Sequence, residues 1–172
     1  MGGRYRVHQF ASALRAGLSR ENTDRLNEEL APAQLELFHS MSSMDQHHCL
    51  SVFHALREAG ETETSLLEAA LLHDVGKTEG PVHIWHRVIG VLAKAVAPHF
   101  WEGIEGDPGG WQYPLYVHRE HAPLGAGMAR EVGCSPDVLW LITHHEDVLG
   151  QTEAPARRLK LLAALQAADK VK

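Results

Sequence analysis

The sequence has few cysteines, no excess of positive charge and no long apolar run, and each shortage removes a class of protein. Its two cysteines, Cys49 and Cys134, stand far apart and in no Cys-x-x-Cys spacing. That excludes a disulfide framework and a thiolate zinc site, and it fits a reducing cytoplasm. Lysine and arginine number 16 against 22 aspartates and glutamates, a net charge of −6. Electrostatic capture by nucleic-acid phosphates or anionic lipid is therefore disfavoured, and any bound phosphate needs local cations. No apolar run approaches the ~18 residues of a membrane span, and the N-terminus lacks a signal-peptide core. Alternating Val, Ile, Thr and aromatic stretches bounded by turns are missing as well, which argues against a sheet. Gly76-Lys77-Thr78 looks like the end of a phosphate-binding P-loop, but the position five residues before Gly76 holds Leu71 instead of glycine, and the motif is rejected.

What is present is apolar spacing of 3.6 residues, which predicts an all-α fold in one domain. A helix over 5–18, with Phe10, Leu14 and Leu18 on one stripe, and a short helix between Asn22 and Pro32 are expected to form an N-terminal cap, residues 1–32, on a core spanning 33–172. Helix is expected from Ala33 to Ala59, broken near Ser42-Ser43 and stopped by Gly60. The next helix opens at Thr64-Ser65, with Glu68 at capping-box distance from Ser65, and is apolar nearly all round to His73-Asp74. It belongs in the middle of a bundle, where it carries that polar pair inside. Gly76 offers a left-handed stop. A helix over 84–97 precedes a glycine-rich segment, 98–110, read as a surface loop and candidate lid. Helices follow at 121–132, 136–146 and 155–171.

The chain has 13 histidines, which neither helix propensity nor core packing requires. In order, the candidate ligands are His48, His73-Asp74, His121, His144-His145 and Asp169, each on or at the end of a predicted helix, as helical bundles build metal sites. Imidazole and carboxylate without thiolate favour iron, manganese, cobalt, nickel or zinc. Adjacent helical residues point about 100° apart, so His73 and Asp74 share an ion only where the helix unwinds. An aspartate there has two oxygens with which to bridge two ions.

This ordered set resembles the HD superfamily of metal-dependent phosphohydrolases. The segment Ala69-Ala70-Leu71-Leu72-His73-Asp74-Val75-Gly76-Lys77 resembles the family's core motif. His48 with Val52, His121 with Gly125, Ile142-Thr143-His144-His145-Glu146 and the closing Leu165-Gln166-Ala167-Ala168-Asp169-Lys170 match in context. The resemblance implies a helical bundle holding one or two divalent transition-metal ions. His48, His73, Asp74 and Asp169 would form a first site, and His121 and His144 a second bridged by Asp74. His145 stands as a further candidate ligand beside His144, since some relatives with three ions use both histidines of such a pair. The activity implied is hydrolysis of a nucleotide or other small phosphoester through a metal-activated hydroxide, with Asp74 central and Lys77 contacting phosphate. Arg87 and Arg119 are weaker phosphate candidates. Asp147-Val148-Leu149-Gly150-Gln151-Thr152 lacks the Asp-Gly-x-Gly-Tyr-Pro run of the cyclic-dinucleotide branch, which disfavours that substrate. A di-iron oxygenase and a non-catalytic nucleotide-sensing module remain as alternatives. The partner expected is a small phosphoester, with no membrane and no stable nucleic-acid binding; a homodimer is left open.

Other positions read more plainly. His47 is a solvent-facing neighbour, and His83, His86, His99 and His118 are structural or supporting residues. His8, His39 and His54 fill surface or interior. Trp85, Trp101, Trp111 and Trp140 are core or loop anchors, while Tyr113 and Tyr116 are candidates to line a cleft.

Overall fold

Apolar residues three and four apart, separated by serine caps and glycine stops, divide the chain into short helices. The computed structural model of the protein describes residues 20–80, 89, 90, 92, 93 and 95–170, without the side chains of 20, 21, 23 and 98. The elements are α1 (Arg20–Glu29), α2 (Pro32–Ser40), α3 (Ser43–Glu58), α4 (Thr64–Leu72), a 3-10 turn η1 (Val75–Glu79), α5 (Pro98–Glu102), α6 (Tyr113–Glu131), α7 (Pro136–His144), a second 3-10 turn η2 (Leu149–Gln151) and α8 (Ala156–Asp169). Among the described residues there is no strand, and the fold is all-α. No helix among them is long and apolar enough to cross a membrane. The helix expected over 5–18 lies outside the described residues, as do His83, Trp85, His86 and Arg87.

Local chemistry accounts for the breaks. The Ser42 hydroxyl accepts from the Asp45 N–H at 3.2 Å and donates to Asp45 Oδ2 at 2.6 Å, so α3 starts afresh where a single helix would otherwise have continued. Ser135 accepts from Val138 N–H at the start of α7, with Pro136 in the first turn. Gly60 and Gly133 take φ of 84° and 81°, the left-handed stops that the sequence suggests there.

Every residue of α4 from Leu66 to Leu72 is buried, and α3, α7 and α8 pack around it. Full burial of each leucine contributes roughly 1.5–3 kcal/mol, so α4 is the rigid post against which the polar residues at its end are held. Two expectations about this region are corrected. Glu68 makes no capping box with Ser65: it is buried and accepts a 2.6 Å hydrogen bond from Gln34 Nε2, a partner 34 residues away. Gly76 is not a left-handed stop, because Gly60 and Gly133 are the glycines with positive φ among the described residues. Its missing side chain is needed for contact instead. A Cβ on Gly76 would stand 2.0 Å from the His121 carbonyl oxygen and 2.5 Å from the Gly125 nitrogen. The Gly76–Gly125 approach presses η1 onto α6, bringing the end of α4 beside His121.

The segment 98–110 is more ordered than a loop. It opens with α5, and Trp101 and Ile104 are buried against Leu115 in a small second core. Arg119 forks onto the carbonyls of Trp101, Glu102 and Ile104, the last two at 2.9 and 3.0 Å, and so satisfies the end of α5. A phosphate role for Arg119 gives way to this clamp. Helix α6 also begins at Tyr113, eight residues earlier than expected, which puts His118 and His121 on one face with rings stacked 6.2 Å apart.

Candidate metal centre

The α4 ladder ends at Leu72. His73 takes φ −59° and ψ −29°, Asp74 takes φ −97° and ψ 1°, and η1 follows. This unwinding lets two neighbours that a regular helix would splay apart both face inward, at 1 % and 2 % exposure. A polar pair this deep needs partners, and two other helix ends and two helix interiors supply them.

On one side, His48 of α3 and Asp169 at the end of α8 meet it. His48 Nε2 lies 2.8 Å from Asp169 Oδ1, 3.3 Å from His73 Nε2 and 3.8 Å from Asp74 Oδ2. On the other side, His121 Nε2 of α6 lies 3.5 Å from Asp74 Oδ1 and 3.2 Å from His145 Nε2, which is itself 3.9 Å from Asp74 Oδ1. Two groups with ligand atoms close enough to hold an ion result, His48-His73-Asp74 and Asp74-His121-His145, with Asp74 common to both.

The hydrogen bonds show which ring atoms are available. Nδ1 of His73, His121 and His145 each contacts the carbonyl three residues back, on Ala70, His118 and Ile142, at 3.0, 2.8 and 2.8 Å. A carbonyl only accepts, so each Nδ1 carries the proton and each neutral ring presents a bare Nε2 to the centre. Bare nitrogens facing each other at 3.2 Å repel unless they share a cation. Two donors about 2.1 Å from one ion and at right angles to each other stand about 3 Å apart. The donor set therefore fits divalent ions, with each imidazole oriented by a backbone carbonyl as ligating histidines commonly are.

The electrostatics agree. Burial pushes His121 down to about 3, helped by Lys77 and His145 against the pull of Asp74, so its ring is neutral at pH 7. Burial also lowers His145, with His73 adding to it. Burial alone would raise Asp74, but His73, Lys77 and His121 together outweigh it and hold the carboxyl well below its usual range. The Lys77 ammonium sits 2.5 Å from Asp74 Oδ2. The result on this side is a buried carboxylate beside two neutral imidazoles, His121 and His145, the protonation state in which metals bind; on the other side the hydrogen bond to Asp169 raises His48.

The residues singled out in the sequence are divided by the fold. His48, His73, Asp74, His121 and Asp169 are brought together; His144 is not. Its Nδ1 pairs with Asp147 Oδ2 at 2.6 Å, and its ring lies tilted on Trp140 with centroids 4.6 Å apart. His145 stands where His144 was expected, because α7 ends at His144 and adjacent side chains diverge. Tyr113 and Tyr116 stack on each other, with Tyr116 beneath the Arg119 guanidinium, and neither lines the cavity at the centre.

A family model for the HD domain matches residues 46–172, a span that takes in all the residues of both groups. The chain belongs to the HD-domain family. No curated protein and no solved structure matches it. HD domains bind divalent metals, and the family is made up largely of metal-dependent phosphohydrolases.

A cavity of about 470 Å³ opens onto the centre of this HD domain between His145 and Asp169, walled by Glu146, Val148, Leu149 and Lys170. Two contributors were not read from the sequence as site residues. Gln166 Nε2 donates to the carbonyls of His145 and Asp147 at 2.9 and 2.7 Å, bracing the turn that aims His145 inward. Its spacing three residues before Asp169, on the same face of α8, was the available signal. Glu146 Oε1 lies 3.8 Å from His121 Nε2; its only signal was adjacency to the histidine pair.

Proposed function

We propose that this HD domain is a metal-dependent phosphohydrolase that cleaves a nucleotide or another small phosphoester. The observation that carries the reading is the convergence of bare imidazole nitrogens on both sides of one buried carboxylate, next to a cavity that His145 and Asp169 line. In this reading His48, His73, Asp74 and Asp169 hold one ion, His121 and His145 hold a second, and Asp74 is shared. The nitrogen and oxygen donors suit iron, manganese, cobalt, nickel or zinc. When bound, such ions supply Lewis acidity, making water acidic enough to attack at neutral pH and taking up charge on the phosphoryl oxygens.

The chain's own residues bind, orient and exclude. Lys77 steadies Asp74 and is a cation beside the centre available to a phosphoryl oxygen. The carbonyls of Ala70, His118 and Ile142 lock the imidazoles in one tautomer and direction. Water's oxygen bonds to phosphorus, the phosphorus bond to the leaving oxygen breaks, and the proton from water ends on that leaving group. A covalent route through the nearest thiol is disfavoured, since burial pushes Cys49 well above the usual thiol range and keeps it protonated.

Metal content and hydrolysis of a nucleotide panel test this, with wild type and Asp74→Ala each loaded with the five candidate metals in turn. The expected result is one or two ions in wild type, loss of metal in the variant, and activity lower by at least about a thousandfold, the several kcal/mol that Lewis-acid stabilisation supplies. Full metal-dependent activity in Asp74→Ala would overturn the reading. So would iron-loaded protein that consumes dioxygen and cleaves no phosphoester.

A further inference from the structure

Whatever is cleaved at this centre has a second half, and the cavity wall discriminates among candidates for it. The cavity volume of about 470 Å³ falls within the ~300–1,000 Å³ typical of small-molecule sites, enough for a leaving group beside the reacting phosphoryl. Apart from Asp169, a member of the centre itself, Glu146 is the wall carboxylate placed against the chemistry, with Oε1 3.8 Å from His121 Nε2 and its side chain 58 % exposed. Asp147 also lines the cavity, but one of its oxygens is taken by His144. Lys170 is the one cation among the lining residues. Val148 and Leu149 also line the cavity, exposed at 62 % and 37 %.

A phosphoryl group on the centre would therefore have Glu146 beside the next group outward. If that group were another phosphate, like charges about 5 Å apart would weaken binding roughly ten- to hundredfold in the dielectric of a protein surface. If it carried hydroxyls, the carboxylate would accept hydrogen bonds from them, which are among the stronger kind. Val148 and Leu149 offer apolar surface in the same cavity to a ring or carbon body. Resting on the phosphohydrolase reading, we infer that Glu146 is a specificity-determining residue that selects a phosphomonoester with one phosphoryl group and an uncharged, hydroxylated leaving group, and rejects polyphosphates.

The experiment compares thymidine monophosphate, thymidine triphosphate and diadenosine tetraphosphate on metal-loaded wild type, Glu146→Gln and Glu146→Lys, with metal content checked throughout. It follows kcat and KM separately and measures binding of the same compounds by calorimetry. Wild type should prefer the monophosphate in kcat/KM by about tenfold or more. Glu146→Lys should shrink that preference at least about tenfold, through a lower KM and tighter calorimetric binding of the triphosphate; Glu146→Gln should move the same way by less. Cleavage that favours either polyphosphate in wild type would overturn the inference and leave the phosphohydrolase reading standing. An unchanged preference in both variants, or loss of an ion from Glu146→Gln, would overturn it too. No cleavage of any of the three by fully loaded wild type would overturn the inference and the reading beneath it together.

Discussion

The Nε2 atoms of His121 and His145 face each other at 3.2 Å, each on a ring whose Nδ1 already donates to a carbonyl three residues back. Neither nitrogen has a proton to offer the other, and burial opposes adding one to either ring. A shared cation removes the conflict. The neighbour His144 takes no part in this geometry, since its Nδ1 is committed to Asp147.

The two adjacent histidines should thus behave oppositely when removed. His145→Ala is expected to weaken metal binding more than about a hundredfold, beyond the ~10–100-fold typical of residues that only support a ligand, and to lower thermal stability in the presence of metal. His144→Ala should retain wild-type metal content, losing only the Trp140 and Asp147 contacts, worth about 1 kcal/mol. Metal analysis of the two purified variants decides between them, and the reverse pattern would return His144 to the centre.

Much of this arrangement could be read from local pattern. The apolar run before His73, the break at Ser42 and the stops at Gly60 and Gly133 are short-range effects, written in a few neighbouring residues. His48, His73, Asp74, His121 and Asp169 meet because each lies on the inward face or end of a helix whose apolar stripe fixes its orientation. The choice between His144 and His145 was not legible in that way. It depends on where α7 stops and on Gln166, across the bundle on α8, holding the His145 carbonyl. Glu68 looked like a cap for the same reason that it is not one, because its partner Gln34 is distant in sequence. Gly76 suggests a left-handed stop because a sequence does not display the backbone of α6 that presses against it.

That close approach gives a second prediction. A methyl group at position 76 would collide with the backbone of α6 at 2.0 Å from the His121 oxygen, where no flexible side chain can give way. Gly76→Ala should destabilise the protein by at least the ~1–3 kcal/mol typical of overpacking, visible as a lower urea midpoint. It should also weaken metal binding, since the shift moves His121 away from Asp74. Gly127→Ala, with nothing within 4 Å of the added carbon, serves as the control and should change neither.

Arg119 offers a third test, because a phosphate contact and a structural clamp respond differently to substitution. As a clamp it satisfies two carbonyls at the end of α5 and that of Ile104 just beyond, and covers the Tyr116 ring. Arg119→Ala should raise hydrogen exchange and protease cleavage within 98–110 while leaving metal content as in wild type. Arg119→Lys should rescue little, for an ammonium cannot reproduce the planar fork. A variant with unchanged protection in that segment would show that the clamp contributes nothing.

The last prediction concerns Glu68, which lies outside the metal centre and is buried between Gln34 and Cys134. Burial raises its carboxyl above the usual range, opposed only in part by a hydrogen bond from Cys134, and the same setting pushes the Cys134 thiol up to about 12. Since the folded carboxyl keeps its proton to higher pH than the unfolded one, the folded state binds more protons between the two values. Stability then falls as pH rises through that window, and the loss is complete above the folded value. Each unit of upward displacement corresponds to ~1.4 kcal/mol. Glu68→Gln cannot titrate and can still accept from Gln34, so it should match wild type near pH ~4 and become the more stable of the two toward neutrality. Urea melts of metal-free protein across that range measure the difference directly. A variant less stable than wild type at neutral pH would mean that the charged hydrogen bond from Gln34 outweighs the cost of burying the carboxylate.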